Sequence, residues 1–179
     1  MSKKASWKEI FGWAMFDFAN SSYTTVIITV IWGDLFIRLV VGDGPDFRRG
    51  NLAFGIALFI SYIFCVITGP IFGAIMDFSA AKKKFLFMSY MLTVVSTCSL
   101  FLVSPGMEVL GVVLLIISNF GFAAGESFVA SFLPSLGEKE ELGKISGIAW
   151  GIGYLGGLVS VILVGLLGSV EIENFERLR

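Results

Sequence analysis

Histidine is absent from the 179 residues, and Asp, Glu, Lys and Arg together make up only 15% of them. Without an imidazole, the chain cannot use a histidine proton relay, a histidine-ligated metal or a serine–histidine pair. The two cysteines, Cys65 and Cys98, both lie in apolar stretches, where a disulfide is not expected. The net charge of −1 argues against a nucleic-acid partner. The sequence therefore predicts no metal, no cofactor and no nucleic-acid binding.

Apolar residues are what the chain has in excess. They make up 56% of it, against roughly 45–50% in soluble domains, and the mean hydropathy is +0.86. Three long runs, 50–76, 85–107 and 145–170, contain no charged residue at all. A hydrocarbon core of about 30 Å takes roughly 20 helical residues. The sequence therefore predicts an all-α membrane protein with about five transmembrane helices, near residues 12–40, 52–76, 85–103, 109–133 and 145–170.

The distribution of Lys and Arg predicts the orientation of these spans. Eight basic residues lie at the first, third and fifth junctions, and five lie at the other ends. The eight are Lys3, Lys4, Lys8, Lys82, Lys83, Lys84, Lys139 and Lys144; the five are Arg38, Arg48, Arg49, Arg177 and Arg179. Because basic loops stay in the cytoplasm, we expect a cytoplasmic N-terminus and an outside C-terminus. We expect the protein in the plasma (inner) membrane.

Four polar residues inside the spans are candidates for binding a substrate or a proton: Asp17, Asn20, Asn119 and Glu126. A charged group at the centre of a bilayer costs about 2.5–3.5 kcal/mol on insertion scales, so such a residue is a functional candidate. Asp17 could instead lie near the headgroups and anchor the start of its helix. Glu126 could pair with a cation from another helix, bind a cationic group, carry a proton, or belong to a purely stabilising hydrogen-bonded pair.

The fifth span combines aromatic and small residues. Trp150 and Tyr154 are one helical turn apart and could face a cavity together, which makes them further candidates for substrate binding. The pairs Gly147/Gly151 and Gly153/Gly157 have the small-xxx-small spacing that lets helices approach closely. For the glycines, helix packing is the favoured interpretation.

The connection between the second and third spans predicts a conformational switch loop. It contains Gly73, Asp77 and the lysine run that begins with Lys82 and Lys83. An acid at the C-terminal end of a helix faces the negative end of the helix dipole, so Asp77 is expected to need a donor. The simpler alternative is that the lysines only determine topology.

These motifs resemble known ones. Gly73-x-Ile75-x-Asp77 with the lysine run resembles the cytoplasmic loop signature of the major facilitator superfamily. The first span, Trp13-Ala-Met-Phe-Asp17-Phe-Ala-Asn20-Ser-Ser-Tyr23, is similar to the first helix of its UMF1 (vacuole effluxer-like) branch. Phe132-Leu-Pro134-Ser and Ile145-Ser-Gly147-x-x-Trp150-Gly-x-Gly153-Tyr154-Leu-Gly156-Gly157 look like the end of helix four and helix five of that branch.

The resemblance implies two six-helix halves with the binding site between them. Five spans then imply that residues 1–179 form the N-terminal transporter bundle of a longer chain. The helix that should meet Asp77 is expected to lie outside these residues. The expected function is a segment of a secondary-active transporter for a small organic solute, such as an amino acid exported by alternating access. The expected partners are the lipid bilayer, the solute, a coupled proton, and a C-terminal half or second chain.

Two other classes of function compete with transport. A non-transporting membrane scaffold or an orphan truncated fragment would also account for the odd number of spans. An intramembrane aspartyl protease would need a second deep aspartate, and Asp34, Asp43 and Asp46 belong near or outside the outer face. The expected class is therefore not an enzyme.

Overall fold

The structure, a computed structural model, describes residues 5–42, 44–79 and 81–177, and for residues 79 and 168–177 only the backbone. Lys3, Lys4, Asp43 and Arg179, which entered the sequence arguments, lie outside the described residues. The described residues form helices and short connections, with no β-strand among them. Five of these helices are long and apolar enough to cross a membrane. The prediction of an all-α protein with five spans is confirmed.

The helices follow one another with short connections. The first span consists of α1 and α2, each continued by a π-helical segment, and every later span contains a single long α-helix. The α-helices are α1 (Trp7–Ser22), α2 (Trp32–Leu35), α3 (Arg48–Ser79), α4 (Lys82–Ser99), α5 (Glu108–Ala130) and α6 (Lys139–Arg177). The π-helical segments are Tyr23–Val30 and Phe36–Val41.

All five spans begin one to six residues before the apolar stretch that predicted them. Hydropathy marks only the residues suited to hydrocarbon, whereas a helix can continue into the headgroup region if its ends are capped. At the start of α1, Ser6 and Glu9 form a capping box: the Ser6 hydroxyl accepts from the Glu9 amide, and the Glu9 carboxylate accepts from the Ser6 amide at 2.7 Å. Polar helix starts therefore lengthen the spans.

Much of the apolar surface of these helices faces outward. Only 11% of the most apolar window of Arg48–Phe78 is buried, and the highest share, 39%, is in Glu108–Ser135. In water such a surface would cost free energy in proportion to its apolar area. Together with the span lengths, this exposure indicates a multi-pass integral membrane protein.

The chain divides into two compact units, which are described separately. The first contains α1, its π-helical continuation and α6, from residues 1–32 and 135–179. The second comprises residues 33–134 and holds α3, α4 and α5.

Aromatic packing stabilises the second unit near the α3–α4 connection. The rings of Phe72, Phe85 and Phe128, one from each long helix, lie with their centroids 5.8–5.9 Å apart in tilted and edge-to-face arrangements. Met76 and Ala124 are buried beside them. Ring pairs of this geometry contribute about 0.5–1.5 kcal/mol beyond their buried area. This cluster fixes the end of α3 against α4 and α5.

Candidate functional site

Glycines of α6 bring the backbone of the first unit's two long helices into close contact. A Cβ atom at Gly156 would overlap the backbone of Phe18, so only glycine fits there. A Cβ atom at Gly153 would lie 2.6 Å from Asp17 Oδ2, and one at Gly157 would lie 2.7 Å from Thr25 Oγ1. At Gly147 and Gly151 a Cβ atom would meet nothing among the described residues within 4 Å. Of the two small-xxx-small pairs, Gly153/Gly157 is therefore the one in this contact.

Three polar side chains of the first span, Asp17, Ser21 and Thr25, lie along this contact. Asp17 and Ser21 both lie against Gly153, and Thr25 lies against Gly157. The Thr25 hydroxyl donates to the backbone oxygen of Ser21 at 2.8 Å. Asn20 is buried, and Asp17 is half-buried. The Asp17 carboxylate thus lies against the helix backbone at Gly153. A side chain at position 153 would occupy the space that this carboxylate fills.

Trp150 and Tyr154 form an aromatic pair on another face of α6. Their ring centroids are 6.3 Å apart and the planes meet at 69°, which is an edge-to-face arrangement. Their exposed fractions are 64% and 72%, whereas Ala149 and Gly153 on the same helix are buried. The two rings lie together, and that they face a cavity stays a prediction. Their proposed contact with a substrate remains a prediction.

In the second unit, Asn119 joins α5 to α3. Its Nδ2 atom donates a hydrogen bond to Ser61 Oγ at 2.6 Å, and neither residue has any exposed surface. The Ser61 hydroxyl in turn donates to the backbone oxygen of Leu58 at 2.7 Å. Asn119 Oδ1 is buried without a hydrogen-bond partner among the described residues. A buried acceptor of this kind is costly, so water or a ligand donor at this position would be stabilised.

Glu126 lies two helical turns after Asn119 on α5 and is half-buried. Its neighbours Gly121, Ala124 and Gly125 are buried, which places the acid at the edge of the packed face of the helix. Glu126 is the one charged residue of the stretch 109–133.

The switch loop brings together three groups at one end of the second unit. Asp77 lies in the last turn of α3, with its side chain 75% exposed. Lys82 Nζ lies 3.7 Å from Asp77 Oδ1 and donates to the backbone oxygen of Ser131, just after α5, at 3.4 Å. The C-terminal ends of α3 and α5 both carry partial negative charge, so a lysine here is stabilised by two helix ends as well as by Asp77. Lys83 and Lys84 are exposed.

A cavity of about 220 Å³ lies between α3 and α5 next to this loop. It unites two predicted residues, Gly73 and Asp77, with hydroxyl and aromatic side chains that the sequence analysis did not select. The lining residues are Cys65, Thr68, Gly69, Phe72, Gly73, Met76, Asp77, Ala124, Ser127, Phe128 and Ser131. A lone Ser or Thr in an apolar span usually bonds its own helix. Such residues therefore carried no signal in the sequence.

The predicted site residues divide between the units. Asp17, Asn20, Trp150 and Tyr154 belong to the first unit. The second unit contains Asn119 and Glu126 on α5 and the whole switch loop, Gly73, Asp77, Lys82 and Lys83. Within the units, the structure brings Asp77 to Lys82 and Trp150 to Tyr154.

Fold and site together define a multi-pass helical membrane protein with polar and acidic side chains inside its spans. Comparison with known proteins supports a transporter relationship. The chain is 26% identical over 162 residues to YxiO of Bacillus subtilis (strain 168), which is described as an uncharacterized MFS-type transporter. The match covers 89% of this chain but only 38% of the relative's length. No family model and no solved structure matches the chain.

Proposed function

We propose that the chain is part of a secondary-active transporter of the major facilitator superfamily that moves a small organic solute by alternating access. The observation that carries the proposal is the presence of polar groups inside apolar spans, above all the half-buried Glu126 on α5. Acidic residues inside membrane spans are rare and mark substrate, ion or proton pathways, so its position in the span makes Glu126 a functional candidate. The similarity to an MFS-type transporter supports the same conclusion.

The finer assignment follows the motifs of the first span and of α6, which resemble the UMF1 branch. On this basis we propose amino-acid efflux, coupled to a proton, as the activity to test first. Asp17, Asn20, Asn119, Glu126, Trp150 and Tyr154 are the residues proposed to bind solute or proton. Asp77 is proposed to act as a latch that depends on a helix outside residues 1–179.

Glu126→Gln tests the proposal most directly. Gln keeps the size and shape of the side chain but replaces the ionisable carboxylate by a neutral amide, which has no acidic proton. In cells that express the proposed transporter and are loaded with dipeptides, we expect amino-acid export to fall by about tenfold or more, which is within the range of about 5–150-fold for coupling between sites. Export is measured by mass spectrometry of the medium, and the amount of protein in the membrane by immunoblot.

Glu138→Gln is the matched control, because Glu138 is exposed and precedes α6. It should leave export unchanged. If Glu126→Gln exports normally at every external pH, Glu126 has a structural role and the proton-coupled model is wrong. If the unmodified protein exports no amino acid but exchanges another solute in proteoliposomes, transport stands and only the substrate assignment fails.

A further inference from the structure

The cavity between α3 and α5 has the size of a small-molecule site. An engineered apolar cavity of about 150 Å³ holds benzene, so a cavity of about 220 Å³ has room for a ring with a polar substituent. Three large apolar side chains, Phe72, Met76 and Phe128, contribute to its walls, and Asp77 is the charged residue among those that line it.

The hydroxyl groups that line the cavity can act only as acceptors. The hydroxyls of Thr68, Ser127 and Ser131 each donate to a backbone oxygen three or four residues earlier in their own helix, at 2.7, 3.1 and 2.7 Å. A hydroxyl has one proton and two lone pairs, so these oxygens have only lone pairs left for a ligand.

The charges around the cavity favour a cation. Asp77 supplies a full negative charge, and α3 and α5 both end here with the partial negative charge of their last carbonyl groups. The chain already places one cation at this position, because Lys82 Nζ reaches both Asp77 and the backbone oxygen of Ser131. Its distance of 3.7 Å from Asp77 Oδ1 is too long for a good hydrogen bond. A ligand with a closer donor can therefore displace it.

We propose that this cavity binds a small organic ammonium ion. The apolar part of the ion packs against Phe72 and Phe128. Its ammonium group donates to Asp77 and the lining hydroxyl oxygens, and it competes with the ammonium group of Lys82. The site shares Asp77 with the proposed latch, but its test measures binding and does not require transport.

Protection of Cys65 from a thiol reagent tests the proposal. Cys65 lines the cavity, whereas Cys98 lies on α4 and is exposed. The Cys98→Ser chain in lipid nanodiscs is treated with N-ethylmaleimide in the presence of cyclohexylammonium chloride, of sodium chloride at equal ionic strength, or of neutral cyclohexanol. We expect labelling of Cys65 to slow severalfold with cyclohexylammonium only. Labelling of Cys98 in the Cys65→Ser chain should not change.

Two substitutions should move the half-protecting concentration in opposite directions. Asp77→Asn should raise it by about fivefold, the effect of losing one partly exposed charge pair. Lys82→Gln should lower it by a similar factor, because the competing cation is removed. Asp34→Asn, which changes an exposed acid elsewhere in the same unit, should leave it unchanged. Circular dichroism verifies that each variant keeps its helical content.

Equal protection of Cys65 by cyclohexanol, or an unchanged half-protecting concentration of cyclohexylammonium in Asp77→Asn, would overturn the proposal. The cavity would then be an apolar groove without selectivity for cations. If Cys65 does not react with the maleimide, saturation-transfer NMR replaces the labelling. Transfer to the ring protons of cyclohexylammonium, weaker in Asp77→Asn and absent for cyclohexanecarboxylate, supports the site. No transfer to cyclohexylammonium refutes it.

Discussion

The hydrogen bond between Asn119 and Ser61 shows what a single polar residue does inside an apolar span. Both residues are completely buried, so a lost partner leaves a polar atom out of contact with bulk water. The sequence selected Asn119 as a binding candidate because an amide in such a helix is unusual. It could not show that Ser61, distant in the chain, accepts from its Nδ2 atom. Partner identity depends on helix rotation, which hydropathy does not define.

Ser61→Ala should therefore destabilise the protein. It leaves the Asn119 Nδ2 group buried without its acceptor, which costs about 1–3 kcal/mol. Thermal unfolding in detergent measures the loss. Ser61→Ala with Asn119→Leu should recover much of it, because both polar partners are then absent. Ser99→Ala, which removes a hydroxyl bonded to its own helix, should have little effect. Equal melting temperatures for Ser61→Ala and Ser99→Ala would contradict the interpretation.

Gly156 is the residue on which the contact between α1 and α6 depends most. Gly156→Ala places a methyl group into the backbone of Phe18, and overpacking of this kind costs about 1–3 kcal/mol. Gly151→Ala has open space and gains up to about 1 kcal/mol of helix propensity. The two variants should melt on opposite sides of the unmodified protein. A stabilised Gly156→Ala would show that the helices lie farther apart than described.

At the scale of the element, composition predicts the long helices well and their internal geometry poorly. Five apolar stretches predict five spans because the bilayer sets the length of each helix. The π-helical segments Tyr23–Val30 and Phe36–Val41 were not predicted. The first contains a run of β-branched residues, which crowd the turns of an α-helix, so a wider turn relieves them. Whether a π-helical turn forms depends on how the neighbouring helices pack, and the spacing of apolar residues in the sequence does not indicate it.

The connection between α3 and α4 combines a prediction with an unexpected partner. The sequence predicted that Asp77 needs a donor, and Lys82 lies 3.7 Å away. The reach of Lys82 to the backbone oxygen of Ser131 was not foreseen, because it depends on where α5 ends. With 75% of its side chain exposed, Asp77 keeps room for a second partner.

Asp77→Asn should shift the balance between the inward-open and outward-open states of the proposed transporter. We expect a change of about 1–3 kcal/mol, the usual range of coupling energies between sites. The measurement is the labelling of Tyr154→Cys by a membrane-impermeant reagent from outside, with Cys65 and Cys98 replaced by Ser. Asp34→Asn is the control, since Asp34 is also exposed and paired with a basic residue. Identical labelling rates in both variants would exclude a latch.

For the whole molecule, the membrane class follows from composition alone, because a chain with 15% charged residues and three charge-free runs cannot cover its helices in water. The division into two units was not predicted, because the apolar stretches alone give no indication of which helices pack together. The α1–α6 contact joins the first span to the last described one, and it relies on neighbouring glycines of α6 that meet residues far away in the sequence.

Orientation is the prediction that tests the whole chain. Basic residues number eight on the expected cytoplasmic side and five on the other. Each Lys or Arg near the end of a span favours keeping its loop in the cytoplasm. Reporter fusions after Lys84 and at Arg179 should therefore lie on opposite sides, with Lys84 inside. Replacing Lys82, Lys83 and Lys84 together by Gln leaves five on each side, so a mixture of orientations should appear. Arg48→Gln with Arg49→Gln increases the bias and should keep one orientation. If the triple variant keeps a single orientation, the lysine run does not determine topology, and its part in the switch loop becomes the better reason for its presence.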